Sequence, residues 1–255
     1  MQVLTAYHTD IGTVKKTNQD SLCIHVAEAP DRTAVLAVVC DGMGGLSKGE
    51  LASASVIRAF DNWFEEELLG QMDSVSADEI RSRWAYLIQE QNLRIGAFGR
   101  ANRMELGTTL TALLLMEKQF FVVAHVGDTR AYRIAKTAEQ LTEDQTVVGR
   151  EILQGILTPE EAEEDPRRNI LLQCIGASKT LRPSFVEGVP RDGDVFLLCS
   201  DGFRHKVSAE EIAETFSPEK LVDEAIMTIR IKKLIELNKK RREKDNITAL
   251  LVKLD

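Results

Sequence analysis

Seven stretches of this chain are apolar for five to eight residues and stop at polar or turn-forming residues: 21–27, 34–40, 108–115, 119–126, 130–134, 195–199 and 247–254. Runs of that length with such ends predict β-strands. AVLAVVC at 34–40 has no polar residue before Asp41, which predicts a buried strand. The runs on either side of Glu117 and Lys118 predict a hairpin with a two-residue turn, although the usual glycine is missing.

Two segments carry the helical period instead. Ala52, Val56, Ala59, Phe60, Trp63 and Phe64 recur at helical spacing, as do Ile80, Trp84, Leu87, Ile88, Ile95 and Phe98. Ser76 followed by Glu79 predicts a capping box for the second. Both tryptophans fall on the apolar faces and are expected to anchor the core. A third helix is predicted from 218 to about 240, with Val222, Ala225, Ile226 and Ile229 on its apolar face. Its basic end, KKRREK, suits a helix C-terminus and predicts a solvated face. Hairpin strands, a pair of helices inserted together and a late helix do not alternate as βαβ units. They predict a single α+β layered domain over residues 1–255 with antiparallel sheets. Residues 146–170 are polar and acidic, with Pro159 and Pro166, and are expected to form a loop or short helical flap over a site.

At 255 residues and 44% apolar content, the chain can build a sizeable core. No run approaches the roughly 20 apolar residues of a membrane span. The N-terminus lacks the basic and apolar segments of a secretory signal. A net charge of -8 argues against an electrostatic nucleic-acid binder. Cys23, Cys40, Cys174 and Cys199 are scattered, with no CxxC pair. Their spacing gives no zinc motif and predicts small buried hydrophobes in a reducing cytoplasm.

Candidate chemistry concentrates where apolar runs end. VVCDGMGGLSKGE delivers Asp41 from a strand into a turn with four glycines, and a helix is expected to start near Glu50. Asp20 precedes LCIHV, Asp128 follows FFVVAHVG, Asp201 follows VFLLCS, and Asp245 precedes ITALLV. Any one of these would serve as a turn residue. Five at strand ends can meet when sheets pack, and clustered carboxylates repel unless a cation lies between them. Hard oxygen ligands select Mg²⁺ or Mn²⁺. Two such ions can activate a water for attack on phosphorus.

The successive segments TDIGTVKKTNQDS, VVCDGMGGLSKGELAS, LGTTLTALLL, AHVGDTRAYRI, LTEDQT, DPRRNILLQCIGAS, GDVFLLCSDGF and DNITALLV resemble, in order, the motifs of the type 2C metal-dependent protein serine/threonine phosphatases. The compact bacterial branch is most similar, and the match runs from about Thr9 to the C-terminus. The resemblance implies a four-layer α-β-β-α fold: a β-sandwich of two antiparallel sheets flanked by helix pairs, with metals in a cleft at one edge. It implies that Asp41 bridges two Mn²⁺ or Mg²⁺ ions and that Gly42 offers its backbone carbonyl to one. Asp201 and Asp245 would complete the first ion's ligands. Asp20 would act near the second through water, Asp128 with Asp201 would hold a third, weaker ion, and Asn246 would orient water or phosphate. The implied reaction is hydrolysis of phosphoserine or phosphothreonine by a metal-bridging hydroxide, without a covalent phosphoenzyme. Asp41, Asp20 and Asn246 are thus the expected catalytic residues. Implied partners are phosphoprotein substrates and a serine/threonine kinase whose action is reversed, with neither nucleic acid nor membrane, and a monomer is the default.

Four positions depart from the family pattern. Lys15 stands where arginine usually grips phosphate; lysine keeps the charge but loses the planar fork. Leu46 stands where bacterial members commonly have histidine, which predicts weaker leaving-group protonation and a relative preference for aryl phosphates over phosphoserine peptides. Gln145 and Thr146 stand where His-Ser is frequent and are expected to play a supporting role. His125, in an apolar strand, is expected to be a core histidine. The alternative function is a pseudo-phosphatase that binds phosphoproteins without turnover. The aspartate set opposes it, and motif order and net charge oppose a nuclease.

Overall fold

A computed structural model describes residues 3–29, 32–43, 48–117 and 119–255. Strands β1 (Val3–Asp10), β2 (Asp20–Ala29) and β3 (Arg32–Asp41) lead into helices α1 (Gly49–Trp63) and α2 (Ala77–Asn102). Next come β4 (Leu110–Met116), β5 (Phe120–Val126), β6 (Arg130–Ile134), β7 (Ala138–Gln140), α3 (Val147–Leu153), α4 (Pro159–Glu164), β8 (Ser184–Gly188) and β9 (Val195–Cys199). The chain closes with α5 (Asp201–Arg204), α6 (Ala209–Thr215), α7 (Glu224–Lys240) and β10 (Ile247–Leu254).

The strands form two five-stranded sheets, ordered β1-β10-β9-β6-β7 and β2-β3-β4-β5-β8. Every pairing is antiparallel. The alternation of side chains along β3 explains its unbroken apolar sequence. Val35, Ala37 and Val39 pack with Phe196, Leu198, Leu250 and Val252 between the sheets. Ala34, Leu36, Val38 and Cys40 face the opposite way, into a second core with α1 and α2. Neither face of β3 meets water, so neither needs polar residues. A third core joins β9 and β10 to Phe203, Ile212, Met227, Ile231 and Leu234 of the C-terminal helices. The expected four-layer α-β-β-α arrangement follows from these three cores.

The capping box of α2 is present: Ser76 Oγ accepts from Glu79 N, and Glu79 Oε2 accepts from Ser76 N at 2.8 Å. Trp84 is fully buried, with Phe60 and Trp63 edge-on at 5.2 and 5.3 Å. Burying an aromatic of that size contributes roughly 2–3 kcal/mol.

Several expectations are corrected. Helix α7 starts at Glu224, capped by Asp223, and not at 218, where Pro218–Lys220 form a separate 3₁₀ turn. Its buried face is Met227, Ile231, Leu234, Ile235 and Asn238, whereas Val222 and Ile229 are exposed. The later helix start leaves Val222 outside the helix. Phe98 of α2 is also exposed, because Ile95 and Gly99 turn inward there. Strand β4 begins at Leu110 rather than 108; Thr108 instead bridges Gly42 and Ile175. Met116 pairs with Phe120, so three residues connect that hairpin, and Lys118 lies outside the described residues. The basic end of α7 is solvated as expected, with Lys240, Arg241, Arg242 and Lys244 exposed, and it is also ion-paired: Lys239 bonds Asp10 and Glu236, and Arg241 bonds Glu211 through both terminal nitrogens at 2.6 Å. Among the described residues, no helix is long and apolar enough to cross a membrane.

Candidate active site

Asp41 is the last residue of β3, and the chain around it is fastened from below. Its N–H donates to Thr109 Oγ1, and its carbonyl accepts from both Thr108 Oγ1 and Thr109 N, each at 2.9 Å. The consecutive threonines of LGTT thus fix the strand end at the point where the sheet ladder stops. Asp20, first residue of β2, lies directly opposite Asp41 in register. Opposed residues of an antiparallel pair share a face, and like charges there are destabilising. Gly42 N donates to Gln19 O at 3.1 Å. A side chain on Gly42 would put its Cβ 2.5 Å from the Gly49 carbonyl, so glycine allows the turn to close on the start of α1.

The other carboxylates arrive from the ends of further strands. Asp201 opens α5 immediately after β9, Asp245 lies just before β10, and Asp128 follows Gly127 between β5 and β6. Gly12 and Gly202 press on the Asp245–Asn246 backbone, where a Cβ would come within 2.2 and 2.1 Å of carbonyl oxygens. Asn246 is buried and braces the 11–19 loop. Its Oδ1 accepts from Gln19 N at 2.9 Å, and its Nδ2 donates to Ile11 O and Thr17 O.

The electrostatics join the five aspartates. Dehydration raises the Asp41 carboxyl far above the usual range, and Asp20, Asp201, Asp128 and Asp245 push it further. Burial and then Asp201 and Asp245 lift Asp20 to about 7, against a 2.6 Å hydrogen bond from Thr248 Oγ1. Burial and Asp201 lift Asp128 to about 7 despite Arg204. Asp20 Oδ1 and Asp201 Oδ1 are buried with no hydrogen-bond partner. Orphaned, mutually repelling oxygens fit a hard divalent cation. Among the described residues, no three of these carboxylates place oxygens within 4.8 Å of one another. An ion with oxygens at about 2.1 Å would therefore draw them inward.

Lys15, expected to grip phosphate, places Nζ 2.7 Å from Asp245 Oδ1. Burial lowers its pKa, but that bond and the fields of Asp41 and Asp201 outweigh the loss and raise it. Leu46 lies outside the described residues. His125 is buried, and its Nε2 faces Glu143 O at 3.1 Å while Nδ1 faces Thr111 Oγ1 at 3.0 Å. A carbonyl only accepts, so the ring proton sits on Nε2. Burial lowers its pKa to about 4, which makes it a neutral core histidine. Gln145 clamps the turn before Asp128: its Oε1 accepts from Gly127 N at 2.8 Å, and its N–H donates to Gly127 O at 2.7 Å.

The family model for protein phosphatase 2C matches residues 12–251. The chain belongs to the protein phosphatase 2C family. It is an enzyme, a protein phosphatase. A relative in Listeria monocytogenes, the serine/threonine phosphatase stp, is 34% identical over 256 residues, covering 98% of this chain and 95% of the relative. The structure of serine/threonine phosphatase Stp1 from Staphylococcus aureus superposes with a TM-score of 0.87 at 30% identity, covering 100% of this chain and 96% of Stp1. The catalytic domain of the phosphatase PstP, solved with two manganese ions, matches at 28% identity and a TM-score of 0.77, covering 100% of both chains.

Within this protein phosphatase 2C fold, one group of residues escaped the sequence reading. Arg204 lies largely buried between Asp128 and Asp144, at 3.7 and 3.1 Å, and Arg130 bonds both Asp144 oxygens at 2.7 Å. Behind Asp201, His205 bridges to Glu243, which accepts from Lys244 N and Asp245 N. Arg204 lies three residues after Asp201, and Asp144 lies in the quoted LTEDQT segment. The signal was present, but nothing in one sequence pairs an arginine with a distant aspartate.

Proposed function

We propose that this protein phosphatase hydrolyses phosphoserine and phosphothreonine in proteins with Mn²⁺ or Mg²⁺ held at the aspartate edge, opposing a serine/threonine kinase. The single observation that carries the reading is the convergence of five carboxylates from separate segments, with raised proton affinities at Asp20, Asp41 and Asp128 and orphaned oxygens on Asp20 and Asp201. Asp41, the Gly42 carbonyl, Asp201 and Asp245 would hold the central ions, Asp20 would serve the second, and Asp128 with Asp201 a weaker third. Bound there, the cations supply charge neutralisation of the phosphoryl group and an acidified water. The chain's own part is positional. Thr108 and Thr109 hold Asp41 still. Asn246 holds the loop bearing Lys15, and acts as a positioning residue. Lys15 places a cation beside Asp245, within reach of an anionic substrate.

The whole chain would act as one catalytic domain. The flap at 146–170 forms two short helices, α3 and α4, tied together by Arg167, which bonds Glu151 and Asp165. Its root, Gln145, grips the Gly127 turn beside Asp128, which favours a role in choosing the protein substrate. The chain would work as a monomer in the cytoplasm. The test is phosphate release from a phosphothreonine peptide by chelator-stripped protein. Turnover should return with Mn²⁺ or Mg²⁺. Metal-replete protein that binds the peptide without turnover would instead indicate a phosphoprotein-binding module.

A further inference from the structure

Cysteine spacing along the sequence gives no metal motif, yet the fold assembles a different ligand set. Cys23 and His25 alternate on one face of β2, and Asp61 projects from α1. One ligand atom from each lies within 4.8 Å of the others. The cluster continues a stripe contact between the two elements. Ser53 and Asp61, eight residues apart on α1, face Ser21 and His25, four apart on the strand. Ser21 bonds Ser53 at 2.9 Å, and His25 Nε2 lies 2.9 Å from Asp61 Oδ1. Phe64 stacks on the His25 ring at 5.1 Å and fixes its plane.

We propose that Cys23, His25 and Asp61 form a second cation site, for a thiophilic divalent ion such as Zn²⁺, that staples α1 to β2. The donor set is one sulfur, one imidazole nitrogen and one carboxylate oxygen, three ligands with a fourth position free for water. It is softer than the all-oxygen aspartate edge, which suits Mn²⁺ or Mg²⁺. Tetrahedral zinc places sulfur and nitrogen roughly 3.5 Å apart, a modest contraction of the observed cluster. All three residues are partly exposed, and β2 is an edge strand, so an ion has a path from solvent. His25 lies five residues along the strand from Asp20, roughly 16 Å, so the two sites are distinct.

Binding requires two proton changes. The Cys23 thiol gives its proton to solvent and coordinates as thiolate. The His25–Asp61 hydrogen bond opens, and the ring carries its proton on Nδ1 so that Nε2 offers its lone pair. Without the ion, burial and the Asp61 charge hold the thiol protonated. A cation inverts that balance.

The test uses the full chain, stripped by chelator and supplied with excess Mg²⁺ to satisfy the aspartates, then titrated with Co²⁺. Thiolate-to-cobalt charge-transfer absorption should saturate at one equivalent and be displaced by Zn²⁺. It should vanish in Cys23→Ser, and Asp61→Asn should weaken cobalt binding at least about tenfold. Asp41→Asn should leave the absorption unchanged. X-ray absorption of the wild-type zinc complex, which needs no variant to fold, should show one sulfur with nitrogen and oxygen neighbours. A shell without sulfur, or charge-transfer absorption that survives in Cys23→Ser, overturns the proposal.

Discussion

Asp20, buried, and Asp144, largely buried, are carboxylates in the same network of charges, and their surroundings push them opposite ways. Asp144 is dehydrated, but Arg204 at 3.1 Å and Arg130 at 2.7 Å outweigh burial and hold its carboxyl below the usual range. Asp20 is dehydrated too, and its strongest charged neighbour is another aspartate, so it rises to about 7. Asp128 sides with Asp20 and also rises to about 7, because burial and Asp201 outweigh Arg204 at 3.7 Å. Among the described residues, no cation pairs with Asp20 or Asp41. The protein therefore supplies its own counter-charge where a carboxylate serves structure and leaves it out at Asp20 and Asp41, the centre of the proposed metal edge, while Lys15 and Arg204 reach only Asp245 and Asp128 at its rim. The missing charge is the strongest physical argument for a bound ion, since breaking even one buried ion pair costs several kcal/mol.

Substitutions on the two sides of this contrast should behave differently. Asp41→Asn should cost roughly 10³–10⁴-fold in kcat on a phosphothreonine peptide, in line with several kcal/mol of metal-borne charge stabilisation. It should leave the metal-free thermal midpoint unchanged or higher, because it removes a repelling charge. A loss below tenfold would break the comparison. Asp144→Ala should cost about 3–5 kcal/mol in chemical denaturation, with or without metal, because it strands two guanidiniums. Recovery of that stability on adding Mn²⁺ would place Asp144 on the wrong side of the contrast.

His125 sharpens the comparison from the cationic side. Its folded pKa, about 4, lies below the ordinary 6.5. The unfolded chain therefore takes up a proton first as pH falls. Stability is unaffected above pH 6.5 and declines by up to about 3 kcal/mol between pH 6.5 and 4. His125→Gln should flatten that part of a stability–pH curve, whatever its effect at pH 7; an unchanged slope would contradict the assignment. The smallest effect concerns Lys15. Lys15→Arg should lower KM for a phosphopeptide by roughly threefold with little change in kcat, because the guanidinium binds phosphate through two bonds. An unchanged KM would indicate that Lys15 serves only Asp245.

Legibility in the sequence tracked burial on both faces of an element. Strands β3 and β9 could be read directly because both their faces are packed. Strand β1 (VLTAYHTD) was missed because it is an edge strand with Tyr7 exposed, and β8 (SFVEG) for the same reason. The three-residue β7 is too short to show a period. Around α7 the exposed Ile229, and Val222 before the helix start, carried the misleading pattern, while the buried face includes Asn238, which donates to Phe203 O. The five aspartates stood out because strand ends mark themselves. The Lys15–Asp245 bond, the Arg204 bridge and the Cys23–His25–Asp61 cluster did not, since each depends on side chains that meet only after the layers pack.

The central claim is that the aspartate edge, and not the arginine-compensated carboxylate beside it, binds the catalytic cations. Anomalous diffraction from crystals of the protein soaked in Mn²⁺ tests it most directly. The account predicts peaks coordinated by Asp41, with Asp201 and Asp245 among the ligands and Asp20 close by, and none at Asp144. Manganese at Asp144, or no ordered manganese at Asp41, would contradict it.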